Sequence, residues 1–125
     1  MTQSSPSPTV SLQWLSQKLG QEIVHDDLEA IAQHWQLTEL SLFGSVLRDD
    51  FHAQSDVDVI IQFHPDAKPT FATLDRIEAD LEKLFNRPVD VVTRNGISNS
   101  RNYLRREAIL SSAQLLHGTR PTISA

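Results

Sequence analysis

The chain has 125 residues, of which 39% are apolar and 22% charged, a composition typical of a single globular domain. Its formal net charge of −5 argues against broad contact with nucleic acid phosphates, which normally requires a basic face. No apolar run is long enough to span a bilayer, and the lack of cysteine excludes disulfides and thiolate metal ligands. We therefore expect a cytoplasmic protein with neither a membrane nor a nucleic acid as its direct partner.

Two short amphipathic helices are predicted near the start of the chain. The first covers residues 11–19, where leucines recur at helical spacing, and it stops at Gly20. The second is expected to begin at Asp26 or Asp27 as the capping residue and to run to about Trp35. Both helices precede the strands and are not part of the motif described below.

The rest of the chain alternates between strand and helix patterns. Strands are predicted at 39–43, 56–63 and 88–93, and an edge strand at 113–117. Helices are predicted at 45–50, at 71–85 and from Ser98 or Asn99 to about 111. Phe71 is expected on the inner face of the second of these helices. This order predicts an α+β fold in which helices flank a small mixed β-sheet, covering one of its faces.

The domain organisation is predicted to be simple. Residues 1–10 are rich in proline and serine and are expected to form a flexible tail, as are residues 119–125. Between them, 11–118 is expected to form one domain, with the two helices in 11–37 and the core in 38–118.

Two aspartates interrupt the strand pattern at its start. Residues two apart in a strand point the same way, so Asp56 and Asp58 are expected on one face, with Val57 and Val59 on the other. A buried carboxylate is costly unless it is paired, hydrogen-bonded or bound to a metal. Capping of an ordinary turn is the simpler explanation, and a Mg²⁺ site is the functional one.

Asp90 and the Gly44-Ser45 pair favour the functional explanation. Asp90 interrupts the next predicted strand and joins the other carboxylates if the two strands pair; otherwise it faces solvent from an edge strand. Three carboxylates at one point require cations, and two metals about 4 Å apart can support in-line phosphoryl displacement. Gly44 allows close approach of a ligand to the backbone, and the helix start after it suits a phosphate.

The spacing of these residues resembles a known signature. Gly44-Ser45, ten intervening residues and then Asp56-Val57-Asp58 is similar to the GSx10DxD motif of the DNA polymerase β-like nucleotidyltransferase superfamily. In length and order the chain resembles the minimal nucleotidyltransferases (MNT proteins), which are usually encoded beside a HEPN-domain partner. The similarity covers about 40–117. It departs from the pattern at Asp49, which follows Arg48 where these proteins often have glycine.

The resemblance implies a reaction and its residues. Asp56 and Asp58 would be catalytic and would bind two Mg²⁺ ions, which carry ATP. Asp90 would complete one metal site and help to deprotonate the acceptor hydroxyl. Gly44 and Ser45 would bind the β- and γ-phosphates. Arg48 would stabilise phosphate charge, although an exposed helix arginine is an equal alternative.

The resemblance also implies a biological role. The protein would be the antitoxin of a type VII-like HEPN/MNT toxin–antitoxin pair, a protein adenylyltransferase that inactivates the HEPN RNase toxin by attaching AMP to a tyrosine hydroxyl. Two alternatives stay open: an antitoxin that acts by steric binding alone, and a stand-alone transferase for a small molecule. Arg101, Arg105 and Arg106 form a basic stripe that is either a solvated helix face or a contact for an acidic or phosphorylated surface.

Overall fold

The computed structural model describes residues 9–118, which form four strands and five α-helices. In chain order the elements are α1 (Leu12–Leu19), α2 (His25–His34), β1 (Leu37–Phe43), a short 3₁₀ helix (Gly44–Leu47), β2 (Val57–Phe63), α3 (Phe71–Phe85), β3 (Val89–Thr93), α4 (Arg94–Ser98), α5 (Tyr103–Ser112) and β4 (Gln114–Gly118). The predicted α+β class is confirmed.

The strands form one mixed sheet in the order β3-β2-β1-β4. β1 pairs antiparallel with β2 and with β4, whereas β2 and β3 run parallel. The parallel pair is joined through α3, the usual way to return a chain to the same edge of a sheet. The predicted edge strand is therefore present as β4.

Helices cover both faces of the sheet, not one. Alternate strand residues such as Leu42 and Val59 pack with α1, α2 and α3 in the main core. Their neighbours Phe43 and Ile60 face the other way and pack with Ile97 of α4 and with α5. The prediction of a single covered face is wrong because β2 is apolar on both faces after Asp58, and the second face also needs a cover.

The helix ends follow capping rules with one exception. Ser11 caps α1 by accepting the Trp14 amide, and Gly20 ends it in the left-handed conformation, as predicted. At α2 the predicted caps are wrong: the cap position is Val24, which offers no side-chain acceptor. Asp26 and Asp27 lie within the first turn, where their charge complements the helix dipole.

The predicted last helix corresponds to α5, and the short helix α4 before it was not predicted. Thr93 caps α4 by accepting the Gly96 amide, and Asn102 caps α5 by accepting the Arg105 amide. The expected start at Ser98 or Asn99 is therefore wrong, because the chain ends one helix there and makes a new cap a few residues later.

The prediction that Phe71 lies on the inner face of α3 is also wrong, because this residue is 89% exposed.

Both outer strands of the sheet have partners on their open side. The Val89 and Val91 amides of β3 donate to the carboxylates of Glu82 and Glu78 on α3, each at 3.1 Å. On β4, the Leu115 carbonyl accepts the Val10 amide at 3.0 Å. Val10 and its neighbour Thr9 thus contact the sheet within the segment predicted as a tail, while residues 1–8 and 119–125 lie outside the described residues.

Candidate active site

Asp58 and Asp90 are brought together by strand register. They are direct partners in the parallel pair of β2 and β3, and neighbouring strands lie about 4.8 Å apart. Asp58 shares its strand face with Ile60, and Asp90 shares its face with Val92, so both carboxylates lie on the side covered by α4 and α5. The predicted pairing of these two strands is thereby observed in the structure.

Gly44 lies directly against the Asp58 carboxylate. Phe43, its predecessor, is paired with Asp58 across β1 and β2. Gly44 has φ +77°, a left-handed conformation that favours glycine, and a Cβ at this position would overlap Asp58 Oδ2. A side chain is therefore excluded here on two grounds, and the backbone approaches the carboxylate as closely as a glycine allows.

The environment of Asp58 perturbs its carboxylate. Burial first, and then the charges of Asp90 and Asp56, together raise the pKa of Asp58 from the ordinary value of 3.8 to about 6. Arg105 and Arg48 lower the same pKa, but by less. Asp56 precedes β2 and is exposed, Asp90 is exposed, and Asp58 is half-buried between them. The three carboxylates are therefore electrostatically one group.

This donor set fits a hard divalent cation. Carboxylate oxygens are the ligands that Mg²⁺ prefers, and a cation would offset both the burial and the neighbouring negative charges that raise the pKa of Asp58. Among the described residues, a tighter group of potential metal ligands lies elsewhere: donor atoms of His25, Asp26 and Glu29 fall within 4.8 Å of one another at the start of α2. We consider the aspartates the better Mg²⁺ ligands because they are all oxygen donors and lie beside a phosphate-compatible backbone.

A cleft of about 540 Å³ opens at Gly44, whose backbone lies against Asp58, although none of the three aspartates lines the cleft itself. The 3₁₀ helix forms one wall through Gly44, Leu47 and Arg48, and α5 forms the other. Arg48 lies on the rim with an exposed side chain, and its Nε is 3.3 Å from Asp50 Oδ1. Its predicted role is thus compatible with its position but also with the surface alternative. Ser45 follows Gly44 at the start of the same short helix and is half-buried.

Two arginines that the motif did not assign also shape this site. Arg87 Nη1 donates to the carbonyls of His52 and Ser55, at 3.1 and 2.9 Å, and so fixes the loop that leads into Asp56. Arg105 lines the cleft from α5. Nothing in the local sequence around Arg87 indicates its role. Arg105, in contrast, belongs to the basic stripe that the sequence shows as a candidate contact for a phosphorylated surface.

A second cavity lies away from this chemistry. It measures about 520 Å³ and is bounded by Phe63, Phe71, Leu74 and Arg94 at the opposite end of β2 and β3. Asp58 is three residues from Ile61 of its lining, which corresponds to about 10 Å along a strand. None of the three aspartates lines either cavity, but Gly44, which lies against the Asp58 carboxylate, lines the first one, so the cleft at Gly44 is the candidate active site.

The mixed sheet, the paired aspartates and the glycine turn are the arrangement that a nucleotidyltransferase site would need. The match to a family model agrees: residues 28–116 match the family described as "Nucleotidyltransferase domain". The chain belongs to this family. It is a nucleotidyltransferase of the minimal, polymerase β-like type, as the motif predicted.

Relatives of known sequence and structure are consistent with this assignment. MJ1379, a candidate protein adenylyltransferase of Methanocaldococcus jannaschii, is 27% identical over 78 residues, which cover 62% of this chain and 78% of that protein. A solved candidate minimal nucleotidyltransferase is 27% identical with a TM-score of 0.56, over 83% of this chain and 94% of that one.

A complex supplies a further fold match. A structure of the tri-AMPylated Shewanella oneidensis HEPN toxin with an MNT antitoxin contains a chain that is 15% identical, with a TM-score of 0.52 over 84% of this chain and 73% of that one. At that identity the likeness concerns the fold.

Among the described helices of the present chain, none has the length and apolar character needed to cross a membrane.

Proposed function

We propose that this chain is the antitoxin of a HEPN/MNT pair and transfers AMP from ATP to a tyrosine hydroxyl of its HEPN RNase toxin. The observation that carries the proposal is the pairing of Asp58 with Asp90, with the Gly44 backbone against Asp58. This arrangement offers carboxylates for metal ions directly beside the backbone turn that opens onto the cleft and could bind phosphates. The reaction class follows from the family, and the substrate is the proposal.

The relatives support the choice of substrate. MJ1379 and a second Methanocaldococcus jannaschii protein are both described as candidate protein adenylyltransferases. Among the fold neighbours, one toxin–antitoxin structure contains AMP-PNP and another contains an AMPylated HEPN toxin. A HEPN toxin is therefore favoured over a small molecule as the acceptor, and the choice of a tyrosine hydroxyl follows the family resemblance alone. We also propose that the reaction takes place in the cytoplasm, where ATP and an RNase toxin meet.

Asp56, Asp58 and Asp90 would hold two Mg²⁺ ions. Bound there, the ions would neutralise charge on the carboxylates and on the triphosphate and stabilise the pyrophosphate that leaves. The fit rests on the oxygen donors and on the burial and neighbouring carboxylates that raise the pKa of Asp58. The Gly44 backbone and the Ser45 hydroxyl would contact the β- and γ-phosphates, and Arg48 would approach them from the rim of the cleft.

The transfer itself is an in-line displacement. The tyrosine oxygen forms a bond to the α-phosphorus of ATP, and the bond from that phosphorus to the oxygen bridging to the β-phosphate breaks. Pyrophosphate leaves with the electron pair of the broken bond. Asp90, which is exposed, would take the hydroxyl proton.

The acceptor must be presented by the partner. Asp56 and Asp90 are exposed, and the cleft is open to solvent along α5. In the described part of the chain there is no second domain that would enclose a small substrate. A hetero-oligomer with the toxin would supply the missing wall together with the tyrosine.

The test is the intact mass of the HEPN partner after incubation with this chain, ATP and Mg²⁺. We expect a gain of one or more AMP units with the unmodified chain and none with Asp58→Asn. The Asp75→Asn variant, on the exposed side of α3, is the matched control and should transfer AMP normally. If the toxin is neutralised equally by the chain and by Asp58→Asn without any gain in mass, the protein acts by steric binding instead.

A further inference from the structure

Arg105 faces the candidate active site from the opposite wall of the cleft. It lies on α5 in a row with Ala108 and Ser112, the spacing of one helix face, and this row lines the cleft across from Gly44 and Arg48. Of the other α5 residues that line the cleft, Ala108 and Ser112 are small and Ile109 is apolar, so the guanidinium is the one cation that α5 contributes to it. The helix thus places a permanent cation above the Gly44 turn.

The charge of Arg105 has no carboxylate of its own within ion-pair distance in the part of the chain that the structure describes. Its neighbours differ in this respect. Arg106 is held by the Ser100 carbonyl, the ring of Tyr103 and the carboxylate of Glu107, at 3.4, 5.2 and 3.9 Å respectively. On the other wall, Arg48 is bonded to Asp50. Arg105 therefore remains available to an anionic ligand.

The site needs such a cation. A triphosphate approaching Asp56, Asp58 and Asp90 meets three negative charges, and metal ions offset only part of this repulsion. The Arg105 charge already reaches the site, since it is the largest influence that lowers the pKa of Asp58. An arginine also matches phosphate geometry, because its planar fork can donate two parallel hydrogen bonds.

We propose that Arg105 binds the β- and γ-phosphates of ATP across the cleft from the Gly44 turn. This inference rests on the proposed function, because it takes ATP as the ligand, and it adds a substrate-binding residue from outside the motif. The triphosphate would lie between two walls, with the backbone of the 3₁₀ helix on one side and the guanidinium of α5 on the other. The basic stripe then divides into one functional residue, Arg105, and two surface residues, Arg101 and Arg106.

The experiment compares the affinities of Arg105→Ala, Arg105→Lys and Arg101→Ala for ATP and AMP with Mg²⁺ present, measured by calorimetry. Arg101 is exposed and lies outside the cleft, so its removal changes net charge equally and serves as the matched control. We expect Arg105→Ala to weaken ATP binding at least about tenfold, in keeping with the loss of a charged hydrogen bond. AMP binding should change by less than about threefold, and Arg105→Lys should restore part of the ATP affinity.

The outcomes distinguish a failure of the inference about Arg105 from a failure of the proposed function. If Arg105→Ala binds ATP as Arg101→Ala does, the inference is wrong and the proposed function is unaffected. If ATP and AMP affinities fall equally, Arg105 shapes the cleft without contacting the terminal phosphates, and the inference is again wrong. If the unmodified chain binds no ATP, the proposed function fails and takes the inference with it. Thermal unfolding of each variant shows whether the fold is retained.

Discussion

The Gly44 backbone lies against the Asp58 carboxylate so closely that no side chain fits between them. Gly44→Ala is therefore expected to displace Asp58 and to abolish AMP transfer. The variant should also lose about 2 kcal/mol of unfolding free energy, from its positive φ and from the overlap together. Urea unfolding and the toxin mass assay measure the two effects.

Gly20→Ala separates strain from overlap. Gly20 has φ +67°, close to that of Gly44, but a Cβ there would meet nothing within 4 Å. We expect it to lose about 1 kcal/mol of unfolding free energy and to keep full transfer activity. Equal loss of activity in both variants would show that backbone strain, and not the contact with Asp58, explains the effect.

Stability should depend on pH through Asp58. Its folded pKa of about 6 lies above the ordinary value of 3.8, so the folded state favours the protonated carboxyl. The corresponding stability is fully present below about pH 3.8 and is lost as the pH rises through about 6. In buffer without divalent metal, Asp58→Asn should therefore be more stable than the unmodified chain at pH 7.5, by about 1 kcal/mol after allowance for partial solvent exposure.

Thermal unfolding at pH 4 and pH 7.5 tests this sign. The advantage of Asp58→Asn should shrink at pH 4, where the native carboxyl is already neutral. Asp75→Asn shows the background effect of removing one surface carboxylate. An advantage that is equal at both pH values would contradict the proposed cause.

Mg²⁺ should reverse the order of stability of the unmodified chain and Asp58→Asn. A cation that binds the folded state stabilises it by mass action, and the gain depends on the carboxylates that hold it. At pH 7.5 we expect millimolar MgCl₂ to raise the melting temperature of the unmodified chain by a few degrees, and that of Asp58→Asn or Asp90→Asn much less. EDTA should remove the increase. An equal increase in all three proteins would place the bound ion away from these aspartates.

The buried ion pair between Glu39 and Arg94 is expected to be sensitive to the loss of one partner. Glu39 is 1% exposed, and its Oε1 accepts from Arg94 Nε at 2.6 Å, while Ser41 donates to Oε2. Arg94→Met leaves this carboxylate unpaired and should cost about 3 kcal/mol of unfolding free energy. The double variant Glu39→Leu/Arg94→Met should recover most of that loss, as urea unfolding would show. A double variant that is less stable than Arg94→Met would contradict this account.

Arg87 is expected to act on the site through a loop. Its two hydrogen bonds to the His52 and Ser55 carbonyls hold the segment before Asp56, and its guanidinium lies 4.5 Å from the centre of the Phe51 ring. Arg87→Ala should speed amide hydrogen exchange in residues 51–56 and weaken the stabilisation by Mg²⁺. Arg76→Ala, on the exposed side of α3, should do neither. Unchanged exchange in the loop would show that other contacts fix Asp56.

The sequence supported a conditional prediction for Asp58 and Asp90. A carboxylate inside an apolar strand pattern is a visible signal, but whether the two strands pair depends on long-range contacts, and the structure shows that they do. Phe71 was misplaced because helical periodicity identifies an apolar face but does not show which of its residues other elements cover.

Long-range polar contacts left no comparable signal. Glu39 and Arg94 are 55 positions apart, and neither residue has a local reason to be buried. The break between α4 and α5 was also missed, because Asn99 and Asn102 are both good capping residues and only packing decides between them. The prediction that helices cover a single face of the sheet was wrong for the same reason. The sequence shows that the second face of β2 is apolar, but it does not show which segment covers that face.

The carboxylates of Glu78 and Glu82 have a consequence for partner recognition. They occupy amides on the open side of β3, and the Val10 amide occupies the Leu115 carbonyl of β4 at the other side. A free strand edge invites another chain to add as a further strand, regardless of its side chains. With both margins engaged, this sheet resists such indiscriminate pairing, and a partner must be recognised by the shape and charge of side chains rather than by its backbone.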